Sequence, residues 1–401
     1  MARISVPAAD GATLIATLAD APPGTEIILL AGTFVLGAPL ELDRPLTLVG
    51  AGLDATRLEC AANGTVAAVI ADVSLSIRGV TIAHVGDARA DVVRVDAGYL
   101  MLEACRLTGA RRGSTDPDSG HGVVVRGRAR LDSTRCQIVG NDWHGIAYLG
   151  DGSGTARENR CQDNRHGIAA GGSAEVELVG NICHGNLLSG IAFLGRAGGT
   201  VRENTCQANG DNGIAVVEAA RPELVGNVCH SNLGAGIDYS DDAGGAAREN
   251  RCRENHGSGI AVGESAAPEL IRNTCRANAL SGIDYFGDAR GAARENVCQD
   301  NQEHGIAVGE TAAPELIGNA CRANTGAGID LSERAGGKVQ ENACERNGIG
   351  IRAEGGVRAL IDRNECRDNR SGDLVRERRS VLGSLRDLVR RLRPGQDPLL
   401  D

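Results

Sequence analysis

The sequence predicts an all-β fold, a single-stranded parallel β-helix wound in coils of about 23 residues with a short helix at each end. Three observations carry that expectation. The chain repeats at a fixed period, its apolar segments are short and alternate strictly, and it is rich in glycine and poor in aromatics. From Cys161 to Cys366 the cysteines recur every 22 or 23 residues. Gly-Ile pairs keep the same step from Gly145-Ile146 to Gly350-Ile351. An asparagine stands two residues before each of these cysteines and another three after, as Asn250 and Asn255 do around Cys252. A second period lies on top: GIDYFGDARGAARENVC alternates with GIAVGETAAPELIGNAC, so the duplicated unit is two coils, about 46 residues.

Each Gly-Ile-Ala-Val segment alternates with period two and is bounded by Gly, Asn and Asp, which predicts a strand. Two or three such strands close into one coil. A leucine-rich repeat is the rival at this period, but it needs several leucines per unit and most units here have one or none. Coils stacked about 4.8 Å apart turn equal positions into ladders. With Ile146, Ile168, Ile191, Ile214, Ile237, Ile260, Ile283, Ile306 and Ile329 pointing inward, Tyr148, Phe193, Tyr239 and Tyr285 point inward too, and the position between them points out. The Asn rows then sit at bends, where stacked amides bond one another and the turn backbone. About 14 coils would form the rod.

Open strand ends need covers. Thr13 to Ala19, with Leu14, Ile15 and Leu18, is the expected N-terminal cap helix. The chain divides into 1–372, the β-helix, and 373–401, an amphipathic cap helix and tail. In that tail Leu374, Val381, Leu382, Leu385, Leu388, Val389 and Leu392 share one helical face. Seven arginines against three acids over 373–393 make a membrane-surface contact the competing reading.

Composition narrows the function classes. The chain has 401 residues, 56 Gly, 11 Pro, 42% hydrophobic residues and 23% charged ones, which excludes collagen and argues against disorder. The net charge of −10 argues against a nucleic-acid partner. The start lacks a charged segment followed by an apolar run, and no apolar stretch approaches a membrane span. A cytoplasmic protein with reduced thiols is expected, since the thirteen cysteines are odd in number.

The motif N-x-(I/V)-x-x-N…G-I-x-(V/L), with Cys in the aliphatic slot, resembles that of the right-handed parallel β-helix repeat proteins of the pectate-lyase-like superfamily. Pro23-Gly24-Thr25-Glu26-Ile27-Ile28-Leu29 followed by Leu46-Thr47-Leu48-Val49-Gly50 agrees with it. The likeness runs from about residue 8 to 370. It implies right-handed coiling and a carbohydrate-related setting, because the superfamily holds polysaccharide lyases, hydrolases and epimerases beside non-catalytic modules. The lyase-like members combine calcium-binding acids with an Arg or Lys base, a constellation that finds no counterpart here residue by residue.

Four features are candidate sites. The cysteine ladder offers one inward thiol per coil, which suits packing rather than a metal, so no metal or cofactor is expected. Asp238, Asp284 and Asp330 interrupt an outward alanine row on every second coil, with backbones roughly 9.6 Å apart. That spacing approaches the carboxylate separation of inverting glycoside hydrolases, although a duplicated solvated Asp explains it as well. Glu218, Glu264 and Glu310 add a second acidic row. Finally His121, His144 and His166 each precede the Gly of successive coils, and two insertions lie at the same corner. The longer insertion carries Arg111, Arg112, Asp116 and Asp118; the shorter carries Asp142 and Trp143. Insertions in repeat proteins map to functional faces, so this corner, with an exposed Trp143, is the expected binding site, joined by the three Asp. If chemistry occurs, His144, His166, Asp142, Asp238 and Asp284 are the candidates. The favoured function is a non-catalytic rigid scaffold that binds a polysaccharide or protein partner on its outer face. The alternative is a polysaccharide hydrolase, lyase or epimerase.

Overall fold

The computed structural model describes residues 2–8, 11–113 and 119–376. Among these residues forty-six short strands form three parallel sheets of 16, 15 and 15 strands, and every strand pairs with its counterpart one coil away. A representative coil runs Ile146–Tyr148 (sheet one), Ser153–Arg157 (sheet two) and Arg160–Gln162 (sheet three). The parallel solenoid and its 23-residue coil stand as expected.

The repeat residues have distinct mechanical roles. Asn227 is completely buried. Its side-chain N–H donates to Val201 O at 2.8 Å and to Asn250 Oδ1 at 2.9 Å, and its own Oδ1 accepts both N–H groups of Asn204. Asn232 repeats the pattern at the next corner. Each amide therefore satisfies corner backbone that no sheet can reach. The Gly of each Gly-Ile pair is fixed by space: a Cβ at Gly236 would lie 2.6 Å from Gly259 O and 2.7 Å from Cys252 Cβ.

The inward columns fill the rod. Ten thiols from Cys161 to Cys366 lie in one sheet-three column, in line with Leu107 and Ile138. Cys105 and Cys136 stand in the asparagine column instead, where Cys136 N donates to Asn159 Oδ1. All thirteen thiols are free, and all but Cys366 are buried.

The two-coil period has a packing cause. Coils with Tyr239 or Tyr285 on the inner wall of sheet one carry Ala247 or Ala293 on the inner wall of sheet two. The alternate coils with Val262 or Val308 carry Leu270 or Leu316. Tyr with Ala and Val with Leu sum to similar volumes, so packing stays level along these coils.

At the N-terminus a helix, Gly11–Asp20, buries Leu14 and Leu18, and it is preceded by a strand, Arg3–Val6, that sequence reasoning missed. At the other end Leu374–Arg376 forms a strand paired with Ile349–Ala353, so Leu374 continues sheet one where a helix was expected. The rest of that expected helix lies outside the described residues. Among the described residues no helix is long and apolar enough to cross a membrane.

Candidate functional site

Sheet one carries an outward column that runs Arg94, Val124, Ala147, Ala169, Ala192, Ala215, Asp238, Ala261, Asp284, Ala307, Asp330, Arg352. Although outward, its alanines are buried. Flanking side chains must rise above them to bury them, as His304 does beside Asp330, so the column is the floor of a narrow trough. The aspartates were expected to be solvated. Instead Asp284 is 3% and Asp330 5% exposed, and only Asp238 is half-buried.

At the N-terminal end the trough opens into a cleft of about 190 Å³ that includes Arg89, Asp91, Arg94, Asp96, Ser119 and Arg126. Asp91 lies in the strand Ala90–Val95, one rung below His121, and its Oδ1 accepts Gly120 N at 3.0 Å and His121 N at 2.9 Å. Burial pushes its carboxyl up to about 6, against the pull of the His121 N–H, Arg126, the Gly120 N–H and Arg94. Arg94 Nε donates to Asp96 Oδ2 at 2.8 Å. The long insertion supplies the roof through Ser119 and Gly120. A buried carboxyl that titrates near neutrality, beside arginines in a cleft, can take or give a proton.

Sequence reasoning reached the insertion but missed Asp91, Arg94, Asp96 and Arg126. This coil has Val92-Val93 where the repeat has Gly-Ile, so the motif does not mark it. The signal available was Asp91 itself, aligned with His121 once the register is known.

The histidine corner forms as placed, but with different chemistry. The rings of His121, His144 and His166 stack with centroids 5.2 and 5.0 Å apart. Burial holds His144 well below the ordinary histidine range, helped by His166, His121, Arg165 and Arg112. Burial and Arg165 push His166 down to about 4. Its Nδ1 accepts Ser189 N, just as His304 Nδ1 accepts Ala327 N and Asn212 Oδ1 accepts Ala235 N. These neutral side chains satisfy corner backbone.

Trp143 is not an exposed platform. It is 7% exposed, held between the guanidinium of Arg112 at 3.8 Å and that of Arg165 at 3.9 Å from its ring centre. Arg111 Nη1 and Arg112 N both meet Asp142, at 3.3 Å each. Asp116 and Asp118 lie outside the described residues. Glu218, Glu264 and Glu310 hold a left-handed backbone at the other corner, where Glu218 accepts Gly195 N at 2.6 Å and Glu264 accepts Asp241 N at 3.4 Å. That acidic row also serves corner backbone.

A second polar cluster lies towards the C-terminus. Asp330 pairs with Arg352 Nε, and His304 Nε2 lies 3.6 Å from Asp330 Oδ2. Among the described residues no group of three or more His, Cys, Asp or Glu is placed to hold a metal ion.

Comparison with known proteins agrees with this architecture. The model "Right handed beta helix region" matches residues 66–186 and 151–292, more than half of the chain. A model of the periplasmic copper-binding protein NosD matches 231–375. No curated protein matches. Among solved structures, the periplasmic alginate epimerase AlgG is 13% identical with a TM-score of 0.52, covering 85% of this chain and 84% of its own. A mutant of AlgG gives 14% and 0.55 over the same shares. The A-module of the Azotobacter vinelandii mannuronan C-5 epimerase AlgE4 is 14% identical over 92% of this chain and 93% of its own, with a TM-score of 0.37. The NosD match is to a periplasmic family, which overturns the cytoplasmic placement expected from the sequence. A three-sheet parallel coil, its asparagine corners and a family match across residues 66–292 lead to one assignment: the chain belongs to the right-handed β-helix family.

Proposed function

We propose that the protein is a carbohydrate-active enzyme that lays a polysaccharide along the sheet-one trough and transfers a proton at the Asp91 cleft. The observation that carries this reading is Asp91, a buried carboxyl titrating near 6 inside a cleft, beside Arg94 and Arg126. The arginines suit an acidic sugar, because they hold its carboxylate and stabilise negative charge as it develops. Ionised Asp91 takes the proton from the ring carbon next to that carboxylate. The C–H electron pair moves into the carboxylate, which becomes an enediolate held by the guanidiniums. Return of a proton from water to the opposite face inverts the carbon, and Asp91 then gives its proton back to water; departure of the neighbouring glycosidic oxygen, which takes the proton held by Asp91, breaks the chain instead. Both outcomes belong to the epimerase and lyase classes, and the likeness in fold to alginate epimerases is consistent with them.

The test is turnover of uronate polymers by purified protein. NMR of the sugar protons reads inversion, and ultraviolet absorbance of the unsaturated product reads elimination. Asp91→Asn should abolish either. Undiminished turnover in that variant would exclude the assignment. A second reading, the non-catalytic scaffold, is favoured by one observation: the trough floor is closed by alanine on four consecutive rungs, Ala147 to Ala215. Binding without turnover would select it.

A further inference from the structure

The repeat supplies its own control for deciding which trough residues are structural. At the floor column alanine suffices in coil after coil, so a charged side chain there is not needed for folding. Burying charge on an outer face costs desolvation. Between residues 281 and 352 the trough nevertheless gathers several polar groups. Asp284 and Asp330 flank Ala307 on the floor, one rung on either side. His304 stands where the equivalent coils have His166, Asn212 and Ser258, and Arg352 stands where the alternation calls for alanine. These two side chains meet at Asp330. Arg352 pairs with it, and His304, whose Nδ1 accepts Ala327 N at 2.9 Å, turns Nε2 towards it at 3.6 Å.

Two further observations point to a ligand. Ser281 occupies the corner position one rung from His304, in the column whose member His304 reaches the floor at Asp330. Its Oγ is buried and, among the described residues, has no hydrogen-bond partner. On the opposite wall the half-buried ring of Phe286 lies across Gly263, where it would collide with any Cβ. Carboxylates on a floor, a hydroxyl on one wall and an aromatic face on the other match an uncharged sugar. Its hydroxyls donate to carboxylates while its C–H face rests on a ring.

We propose that Ser281, Asp284, Phe286 and Asp330, around the floor of Ala307, form a second carbohydrate-binding station for an uncharged sugar unit. Nine rungs separate Ala307 from Arg94, so the station lies roughly 40 Å along the trough from the Asp91 cleft. The two stations differ in charge: arginines crowd the cleft, whereas carboxylates outnumber the single arginine here. This rests on the reading above only in that both place one polymer along sheet one.

The test uses the full chain and titration calorimetry with neutral tri- and tetrasaccharides of glucose, mannose and galactose, with uronate oligosaccharides as contrast. At least one neutral series should bind in the millimolar range or tighter. Phe286→Ala and Ala307→Trp should each weaken it by about tenfold or more. Ala192→Trp, which fills the same column outside the station, should not, and neither should Asp91→Asn. Thermal melting of each variant checks folding, and Phe286→Ala serves if Ala307→Trp misfolds. No neutral binding by the unaltered protein, binding unchanged by both variants, or uronate binding in place of neutral binding would each overturn the proposal. Loss or survival of turnover in Asp91→Asn bears on the cleft alone, so the two readings fail separately.

Discussion

Asp91→Asn should make the protein more stable at neutral pH and no more stable in acid. The asparagine keeps the shape and an oxygen to accept the N–H groups of Gly120 and His121. It removes a charge that burial disfavours. Moving a carboxyl from 3.8 to about 6 on folding corresponds to about 3 kcal/mol. The sign follows from linkage. Below 3.8 the side chain is protonated in both the folded and the unfolded chain, so it contributes no penalty. Between 3.8 and about 6 the unfolded chain ionises while the folded one resists, and stability falls as pH rises. Above that range the penalty is complete. Loss of attraction to Arg126 and Arg94 is already contained in the net shift, and burying an amide returns part of the gain. A stabilisation of about 1–3 kcal/mol at neutral pH remains. A global melt averages over the whole solenoid, so a local probe isolates the cleft. Hydrogen exchange of the amides in Ala90–Val95 and Val123–Val125 reads the local opening free energy. The difference between variant and parent should be near zero at about pH 4 and largest above about pH 7. A difference independent of pH, or destabilisation at neutral pH, would refute the reasoning. Loss of activity with gain of stability would mark Asp91 as a site where function opposes folding.

The ladders yield further expectations. Asn227→Asp keeps the acceptor but cannot donate to Val201 O and Asn250 Oδ1, so it should cost at least about 2 kcal/mol, more at neutral than at acid pH, read by denaturant midpoint. Cys252→Ser puts a hydroxyl into the sulfur column and should cost about 1–3 kcal/mol, while thiol labelling of the parent should be complete only on unfolding; rapid labelling of most thiols would contradict it. Tyr239→Phe removes a buried hydroxyl that has no partner among the described residues and should be neutral or stabilising by up to about 1 kcal/mol in the same assay. Trp143→Ala brings two guanidiniums together without their ring and should lower the melting temperature, unlike an exposed binding tryptophan.

Much of the rod is legible because its constraints are periodic. The Asn and Gly positions are set by backbone groups that recur identically each coil, so their spacing alone reveals the corners. The histidine corner was equally legible in position, and its stacking distances follow from the rung spacing. What the sequence withholds is depth. Periodicity tells that Asp284 faces outward but not that flanking side chains bury it, and it places Trp143 outside the core without showing the two arginines that cover it. Asp91 escaped for the opposite reason. Its coil departs from the motif, and a method that finds sites by repetition passes over the place where repetition stops.

The two-coil period then acquires a physical meaning. Tyr against Ala alternates with Val against Leu in the core. On the outer face of sheet two the same alternation sets Arg against Glu, as Glu177 bridges Arg157 and Arg202, and Glu315 bridges Arg294 and Lys338. Copying one coil would stack large residues on large and like charges on like, with overpacking inside and repulsion outside. Two coils are therefore the smallest unit that can be duplicated without strain, and Asp238, Asp284 and Asp330 were carried along on the same step. Recurrence every 46 residues is thus no mark of function in this chain. Arg352 breaks the alternation, and Arg94 and Asp91 lie where it has not begun. Copying cannot account for those three side chains, and they lie at the two places in the trough where ligands are proposed to bind.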